Sequence, residues 1–157
     1  EKYTKENKAS VENNINSYGY NKLISENYIT KYAKKYLIIR LPYVIGPMLK
    51  RNPFYDLLYQ KKTFISLDSK INCIHTDSIA SISMKLINKN INGIYNIGSK
   101  NTLKVFEIIK LLNLKRSDLK KSNKIKDINN INLKKIKKIL SLPDIFDEAR
   151  KYFQQNQ

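Results

Sequence analysis

The chain has 157 residues, the length of one ordinary domain. A composition of 41% hydrophobic and 27% charged residues excludes a disordered tail and indicates a globular protein. The apolar runs are far shorter than the ~20 residues of a membrane span, and the polar N-terminus lacks the apolar core of a signal peptide. Cys73 is the one cysteine, so no internal disulfide can form and a reducing cytosol is the expected compartment.

The net charge of +17 has two explanations. Such an excess of lysine is typical of proteins that bind nucleic acid or another anionic surface. Lysine, asparagine and isoleucine are overused together here, however, and all three have A/T-rich codons. A genome of low GC content would therefore produce the same excess without any binding role, and the composition alone does not decide between the two.

A helix and a strand are predicted first in chain order. Residues 1–16 are polar, and apolar side chains then recur at helical spacing from Ser17 to about Tyr36. The run "YLIIRLPYVIGP" follows, is broken by Pro42 and ends at Gly46-Pro47, which predicts a buried strand that ends in a turn. A helix that leads directly into a buried strand favours an α/β fold with a parallel sheet.

Short elements are predicted beyond Pro47. Asp77 and Thr102 stand in front of apolar-periodic segments and are the expected N-caps of two helices. The predicted strands cover residues 63–68, 70–76 and 93–98, and the predicted helices start near Pro53, at 78, at 103, at 132 and at Pro143-Asp144. The segment 121–132 is the best candidate for a mobile or irregular connection.

Tyr18 and Lys22 lie four residues apart in the first predicted helix, so they share one face of it. A free phenol ionises near pH 10, and an ammonium group within ~4–6 Å favours the phenolate. Such a pair can exchange a proton with an alcohol or a carbonyl oxygen. Chance is a serious alternative in a lysine-rich chain with eleven tyrosines, and the pair alone is weak evidence.

The neighbouring segments make the pair specific. The sequence "YGYNKLISE" resembles the Y-G-x-S-K-x-x-x-E segment of extended short-chain dehydrogenases/reductases, the NAD-dependent epimerase/dehydratase family that acts on nucleotide sugars. Three further segments resemble later motifs of that family in the right order, namely "LIIRLPYVIGP", "INCIHTDSIASISMKLI" and "NGIYNIGS". The end of the chain is also similar to the family's closing pattern, although its usual Gly-Trp is missing.

The resemblance implies a role for each matching residue. Tyr18 is the expected acid/base for a sugar hydroxyl or keto group, and Lys22 is expected to hold the nicotinamide ribose and to favour the phenolate. The backbone of Pro42, Tyr43 and Val44 is expected to lie against the nicotinamide end of NAD or NADP. Position 43 is often asparagine in sugar-nucleotide epimerases, where it contacts the substrate's phosphates.

The segment 48–70 matches the part of the family that builds the substrate pocket. Tyr43, Arg51 and Asn52 are the candidates for substrate binding, with a solvated loop as the alternative for the last two. His75 is the one histidine of the chain, lacks partners at metal-ligand spacing and matches a structural strand, so no metal site is expected. Arg40 is expected either to form a buried ion pair at the strand end or to be a surface charge.

The glycine-rich turn that binds a dinucleotide's pyrophosphate has no match here. The four glycines are too dispersed, and the family's catalytic Ser or Thr would fall before residue 1. The sequence is therefore interpreted as the C-terminal half of such an enzyme, inactive alone. Residues 1–47 are assigned to the end of a Rossmann-type domain and residues 48–157 mainly to a small α/β substrate domain, with strand 93–98 returning to the Rossmann sheet.

The function implied by the resemblance is that of an NAD(P)-dependent nucleotide-sugar epimerase, dehydratase or reductase. Its expected partners are a nucleotide sugar and the missing N-terminal half of the Rossmann domain, and a homodimer through the Tyr/Lys helix is allowed. Neither a membrane nor nucleic acid is the expected partner. The alternative is an inactive family member, or a basic module that binds nucleic acid or acts as a scaffold.

Overall fold

The computed structural model describes residues 17–50, 52–60, 65–113, 115 and 131–156. Helices and strands alternate through much of this part, which confirms the predicted α/β class. The helices are α1 (Ser17–Tyr32), α2 (Pro53–Tyr55), α3 (Thr76–Asn88), α4 (Val105–Leu111), α5 (Lys134–Lys137) and α6 (Ile145–Asn156). The strands are β1 (Leu37–Arg40), β2 (Tyr43–Ile45), β3 (Lys70–Ile71), β4 (Cys73–His75), β5 (Gly93–Asn96) and β6 (Leu103–Lys104).

The strand predicted from one apolar run is two strands with different partners. β1 pairs in parallel with β5, and β2 pairs in parallel with β4. Pro42 lies between β1 and β2, and a proline cannot donate a ladder hydrogen bond, so the run is interrupted there. β1 is half-buried rather than buried, and within the described part of the chain β5 is its one neighbouring strand.

β4 separates two hydrophobic cores because successive side chains of a strand point to opposite faces. Cys73 belongs to the core that also contains Phe54 and the buried faces of α4 and α6. Ile74 belongs to the second core, which α3, β5 and α5 complete. Both faces of the β2–β4 pair are thus covered, as expected for a parallel sheet.

α3 begins directly after β4, two positions earlier than predicted. The N-cap is His75, whose Nδ1 accepts a hydrogen bond from the backbone N–H of Asp77 at 3.2 Å. Asp77 itself is in the first turn, so its prediction as the N-cap was wrong. Ile82 and Leu86 are buried as the apolar stripe predicts, whereas Ile87 is exposed at the edge of that stripe.

Two other local predictions were also wrong. Of the strand predicted at 63–68, residues 65–68 form a turn, in which Ser69 N–H donates to Ser66 O at 3.0 Å, and residues 63–64 lie outside the described residues. α4 is capped at Lys104 instead of Thr102, because the chain first forms the two-residue strand β6 against β3. Glu107 then accepts a hydrogen bond from the backbone N–H of Lys104 at 2.6 Å, which satisfies one free donor at the helix start.

The remaining helix predictions are confirmed, with bounds that differ at the helix ends. The helix near Pro53 is one α-turn that continues as a π-helical segment, Asp56–Gln60. α5 covers the middle of the segment predicted at 132–140. α6 starts where Pro143-Asp144 predicts, and Asp144 Oδ1 accepts from Phe146 N–H at 2.9 Å. Most of the predicted irregular connection, 121–132, lies outside the described residues.

Asn72 fixes the turn between β3 and β4. Its side-chain amide donates to Ser99 O and to Asn101 O, both at 2.8 Å, and its Oδ1 accepts from Ser99 N–H at 3.0 Å. Gly98 lies against this amide so closely that a Cβ there would be 2.5 Å from Asn72 Oδ1. A glycine is therefore required at the end of the segment that follows β5.

No helix in the described ranges is long and apolar enough to cross a membrane. The same residues contain no group of three or more His, Cys, Asp and Glu side chains that could hold a metal ion.

Candidate functional site

Tyr18 and Lys22 lie side by side on α1, as the helical spacing predicts. The ammonium nitrogen of Lys22 is 5.5 Å from the centroid of the Tyr18 ring, within the range of a cation–π contact. Tyr18 is 70% exposed, and α1 buries none of its described residues. The pair is therefore open to a ligand or to another segment of protein in this structure.

A bidentate ion pair connects α1 to the sheet. Arg40 Nε donates to both carboxylate oxygens of Glu26 at 3.0 and 3.1 Å, and Arg40 Nη2 donates to Glu26 Oε2 at 2.5 Å. Both side chains are about four-fifths buried, with exposed fractions of 18% and 19%. Of the two alternatives for Arg40, the ion pair is confirmed, and it fixes the helix that carries Tyr18 to the end of β1.

The predicted nicotinamide segment continues from that strand end. Pro42 links β1 to β2, and Tyr43 and Val44 are the first two residues of β2. Tyr43 N–H donates to Asn72 O at 3.3 Å, which extends the pairing of β2 beside β4. Tyr43 and Val44 are both half-buried, so the backbone here is ordered by the sheet. The Arg40–Glu26 pair thus relates α1 to the strand that leads into this segment.

Asn52 has a structural position at the start of α2. It is buried, its Oδ1 accepts from Tyr55 N–H at 2.9 Å, and its Nδ2 donates to Leu49 O at 2.9 Å. This is the N-cap arrangement that satisfies a free donor at a helix start. Arg51, the other candidate of this segment, lies outside the described residues. The substrate roles of Tyr43, Arg51 and Asn52 stay predictions.

His75 is fully buried and has a defined tautomer. Because Nδ1 accepts from Asp77 N–H, Nε2 carries the proton and donates to Gln155 Oε1 at 2.7 Å. The strand location expected for His75 is confirmed. Cys73, two residues earlier, is also buried; burial, reinforced by the negative charge of Glu148, raises the pKa of its thiol well above the usual range. A thiol held neutral in this way is a poor nucleophile.

Two carboxylates of this region had no role predicted from the sequence. Glu26 matches the last position of the "YGYNKLISE" motif, and its partner Arg40 closes β1. Glu148, in the first turn of α6, is 4% exposed and accepts from His75 N–H and from the Ser78 hydroxyl. A carboxylate in the first turn of an amphipathic helix usually interacts with its own helix terminus, so the sequence offered no signal for this longer-range contact.

Comparison with known proteins gives no match at the level of sequence. No protein-family model matches the chain, and no curated protein matches it. In structure, the chain is similar to a dTDP-glucose 4,6-dehydratase from Bacillus anthracis strain Ames in complex with NAD, with a TM-score of 0.75 and 18% identity over 99% of this chain and 56% of that one.

Two other solved structures are similar to the same degree. A UDP-glucuronic acid 4-epimerase from Bacillus cereus, in complex with UDP-glucuronic acid and NAD, has a TM-score of 0.73 and 15% identity over 99% of this chain and 56% of that one. A dTDP-4-dehydrorhamnose reductase from Bacillus anthracis strain Ames, in complex with NADP, has a TM-score of 0.69 and 18% identity over 90% of this chain and 55% of that one.

These similarities establish the fold. The chain shares the Rossmann-type α/β fold of these three solved structures, so the predicted fold is confirmed. It spans about half the length of the structures that it matches.

Proposed function

We propose that the chain is the C-terminal portion of an NAD(P)-dependent enzyme that epimerises, dehydrates or reduces the sugar of a nucleotide sugar. The observation that carries the proposal is the Tyr18–Lys22 pair, exposed on a helix that Arg40 and Glu26 fix to a parallel strand. The fold shared with structures that contain NAD, NADP or UDP-glucuronic acid supports the same function. The N-terminal half of the Rossmann domain would supply the pyrophosphate site.

Each residue has a distinct task in this proposal. When bound, NAD(P) supplies a carbon that accepts or donates the hydride. Tyr18 exchanges the proton of the sugar hydroxyl or keto group, so that charge does not accumulate on the oxygen. Lys22, whose ammonium nitrogen lies 5.5 Å from the centroid of the Tyr18 ring, holds the ribose hydroxyls beside that residue. The backbone of Pro42, Tyr43 and Val44 covers the nicotinamide end, and Tyr43, Arg51 and Asn52 are the proposed contacts to the substrate.

Tyr18→Phe tests the proposal in the protein that includes the N-terminal half. We expect turnover of dTDP-glucose, UDP-glucuronic acid or UDP-N-acetylglucosamine to fall by about 10²–10⁴-fold, because phenylalanine cannot exchange a proton. Cofactor affinity, measured by calorimetry with NAD and NADP, should stay close to that of the unmodified protein because Lys22 is retained.

Tyr20→Phe is the matched control, since Tyr20 lies on the same helix and is also exposed. It should leave turnover unchanged. Equal turnover in the Tyr18→Phe variant and the unmodified protein would contradict the role of Tyr18. Absence of turnover and of NAD(P) binding in the unmodified protein would contradict the proposed function as a whole.

The alternative, a catalytically inactive relative or a basic module for nucleic acid, has one observation in its favour, the net charge of +17. RNA or DNA affinity that falls steeply with salt, together with no nicotinamide binding, is its signature.

We propose the cytosol as the compartment and a homodimer through α1 as the assembly. Sedimentation of the Tyr28→Asp variant tests that dimer.

A further inference from the structure

Glu148 is a buried carboxylate that faces away from its own helix terminus. It lies in the first turn of α6, is 4% exposed, and accepts a hydrogen bond from His75 N–H at 2.6 Å. Its second oxygen accepts from the Ser78 hydroxyl at 2.7 Å. Among the described residues no lysine or arginine forms an ion pair with it. A buried charge of this kind is costly unless other groups compensate it.

The compensation comes from the start of α3. Ser78 is in its first turn and His75 is its N-cap, so the carboxylate lies at the positive end of the helix dipole. The two hydrogen bonds and the dipole together replace the missing cation. The Glu148 carboxylate is therefore stabilised at one place, directly against the junction of β4 and α3.

The same face of α6 holds the junction at two more points. Lys151 and Gln155 follow Glu148 at i+3 and i+7, which places all three on one side of the helix. Lys151 pairs with Asp77 at 2.9 Å, and Gln155 accepts from His75 Nε2 at 2.7 Å. The Lys151 pair is exposed and contributes little, so Glu148 is the main polar contact.

The junction in turn touches the end of β2. His75 pairs in parallel with Ile45, the last residue of that strand. Thr76 lies directly against Gly46, where a Cβ would be only 2.5 Å from Thr76 Oγ1. Packing this close transmits small displacements, because neither side has room to relax. A shift of His75 and Thr76 therefore moves the turn that follows Tyr43 and Val44.

We propose that Glu148 is a positioning residue that holds the β4–α3 junction and, through Gly46, the end of β2 against the nicotinamide. The inference rests on the proposed function for its catalytic consequence. Its structural part, the fixing of the junction by α6, stands on the contacts alone. Glu148 touches neither cofactor nor substrate in this proposal.

The buried thiol of Cys73 is a reporter for the structural part. Cys73 lies on β4 in the core that the buried face of α6 completes, and it is 0% exposed. In the protein with its N-terminal half, Glu148→Ala should increase the rate at which N-ethylmaleimide labels Cys73 by about 10-fold, because the buried His75 N–H and the half-buried Ser78 hydroxyl lose their acceptor. Peptide mass spectrometry follows this one site. Glu148→Gln retains one acceptor and should give an intermediate rate.

Steady-state kinetics test the catalytic part. We expect Glu148→Ala to lower kcat by about 10–100-fold and to raise the KM for NAD(P), with the KM for the nucleotide sugar little changed. Glu148→Gln should recover part of kcat, and it carries the test if the alanine variant does not fold. Asp147→Ala is the matched control, since Asp147 is the exposed neighbour of Glu148 in the same turn.

The outcomes distinguish the inferred role of Glu148 from the proposed function of the protein. Labelling of Cys73 at the unmodified rate in both Glu148 variants would overturn the inference. Faster labelling with unchanged kcat and KM would also overturn it, because Glu148 would then be merely structural. No hydride transfer by the unmodified protein would refute the proposed function, and faster labelling in the variants would still support the fixing of the junction by Glu148.

Discussion

The hydroxyl of Tyr152 is buried on the inner face of α6 and has no hydrogen-bond partner among the described residues. Burial raises the pKa of Tyr152 to about 12, and the nearby Tyr59 adds to the effect. The side-chain amide of Asn52 acts on this pKa in the opposite direction and by less than burial does, and its hydrogen bonds run to Leu49 O and Tyr55 N–H rather than to the hydroxyl. The hydroxyl is thus a buried polar group that loses its water without compensation.

Tyr152→Phe should therefore stabilise the protein by about 1 kcal/mol at pH 7, measured as the free energy of unfolding in urea. The pKa in the folded state exceeds that of free tyrosine, so the neutral form contributes stability that is complete below pH ~10 and declines as the pH rises toward 12. The variant should lose that alkaline decline. A loss of stability at pH 7 would contradict the unpartnered hydroxyl, and Tyr32→Phe is an exposed control.

At the scale of single residues, the sequence predicts contacts between neighbours on one helix better than it predicts contacts between distant parts of the chain. The Tyr18–Lys22 pair follows from helical spacing, and the proximity of the two side chains is confirmed. Asp77 is the better N-cap by residue type, yet His75 takes that place because β4 continues up to it. The contact between Glu148 and His75 joins residues 73 positions apart in sequence, and no local sequence rule predicts a contact over such a separation.

Among the helices, α1 is exceptional because none of its described residues is buried. Ile24, Tyr28 and Tyr32 belong to the apolar stripe that recurs at helical spacing in the sequence, and they are between 48% and 66% exposed. A helix normally gains its stability from burying such a face. Here the polar contact between Glu26 and Arg40 holds the helix to the sheet.

Glu26→Gln should loosen α1 without unfolding the sheet. Removing the charge weakens a partly buried bidentate pair, and we expect the α1 amides to exchange with deuterium about 3–10-fold faster. Asp147→Asn breaks an exposed pair with Arg150 and should leave exchange unchanged in every helix. Equal exchange of α1 in the two variants would mean that other contacts hold the helix.

The hydrophobic periodicity of the sequence does not predict which strands pair with one another. The apolar run from Leu37 predicts strand structure correctly, but its neighbours β5 and β4 come from distant parts of the chain. The sequence predicts that Pro42 interrupts the apolar run. Only the three-dimensional structure shows that the strands before and after Pro42 pair with different partners. The turn at 65–68 was mistaken for a strand because it is apolar: Ile65 and Leu67 pack against the core from a turn.

At the scale of the whole molecule, the dominant long-range interaction is the repulsion among the positive charges that give the net charge of +17. Like charges repel one another most strongly in the compact state, and salt screens them: the Debye length falls from ~30 Å at 0.01 M to ~8 Å at 0.15 M. We therefore expect the urea midpoint of unfolding to rise between these NaCl concentrations. Potassium chloride should give the same shift, and a fall with either salt would contradict a stability limited by repulsion.

The order in which β1 and β2 find their partners has a kinetic consequence. β2 can pair with β4 as soon as residue 75 is available, whereas β1 must wait for β5 at residues 93–96. Pairings between residues far apart in sequence form slowly because a long loop must close first. During synthesis the apolar edge of β1 (Leu37–Arg40) therefore stays unpaired after β2 and β4 have paired. It is the segment of the sheet where misassociation with other chains can begin.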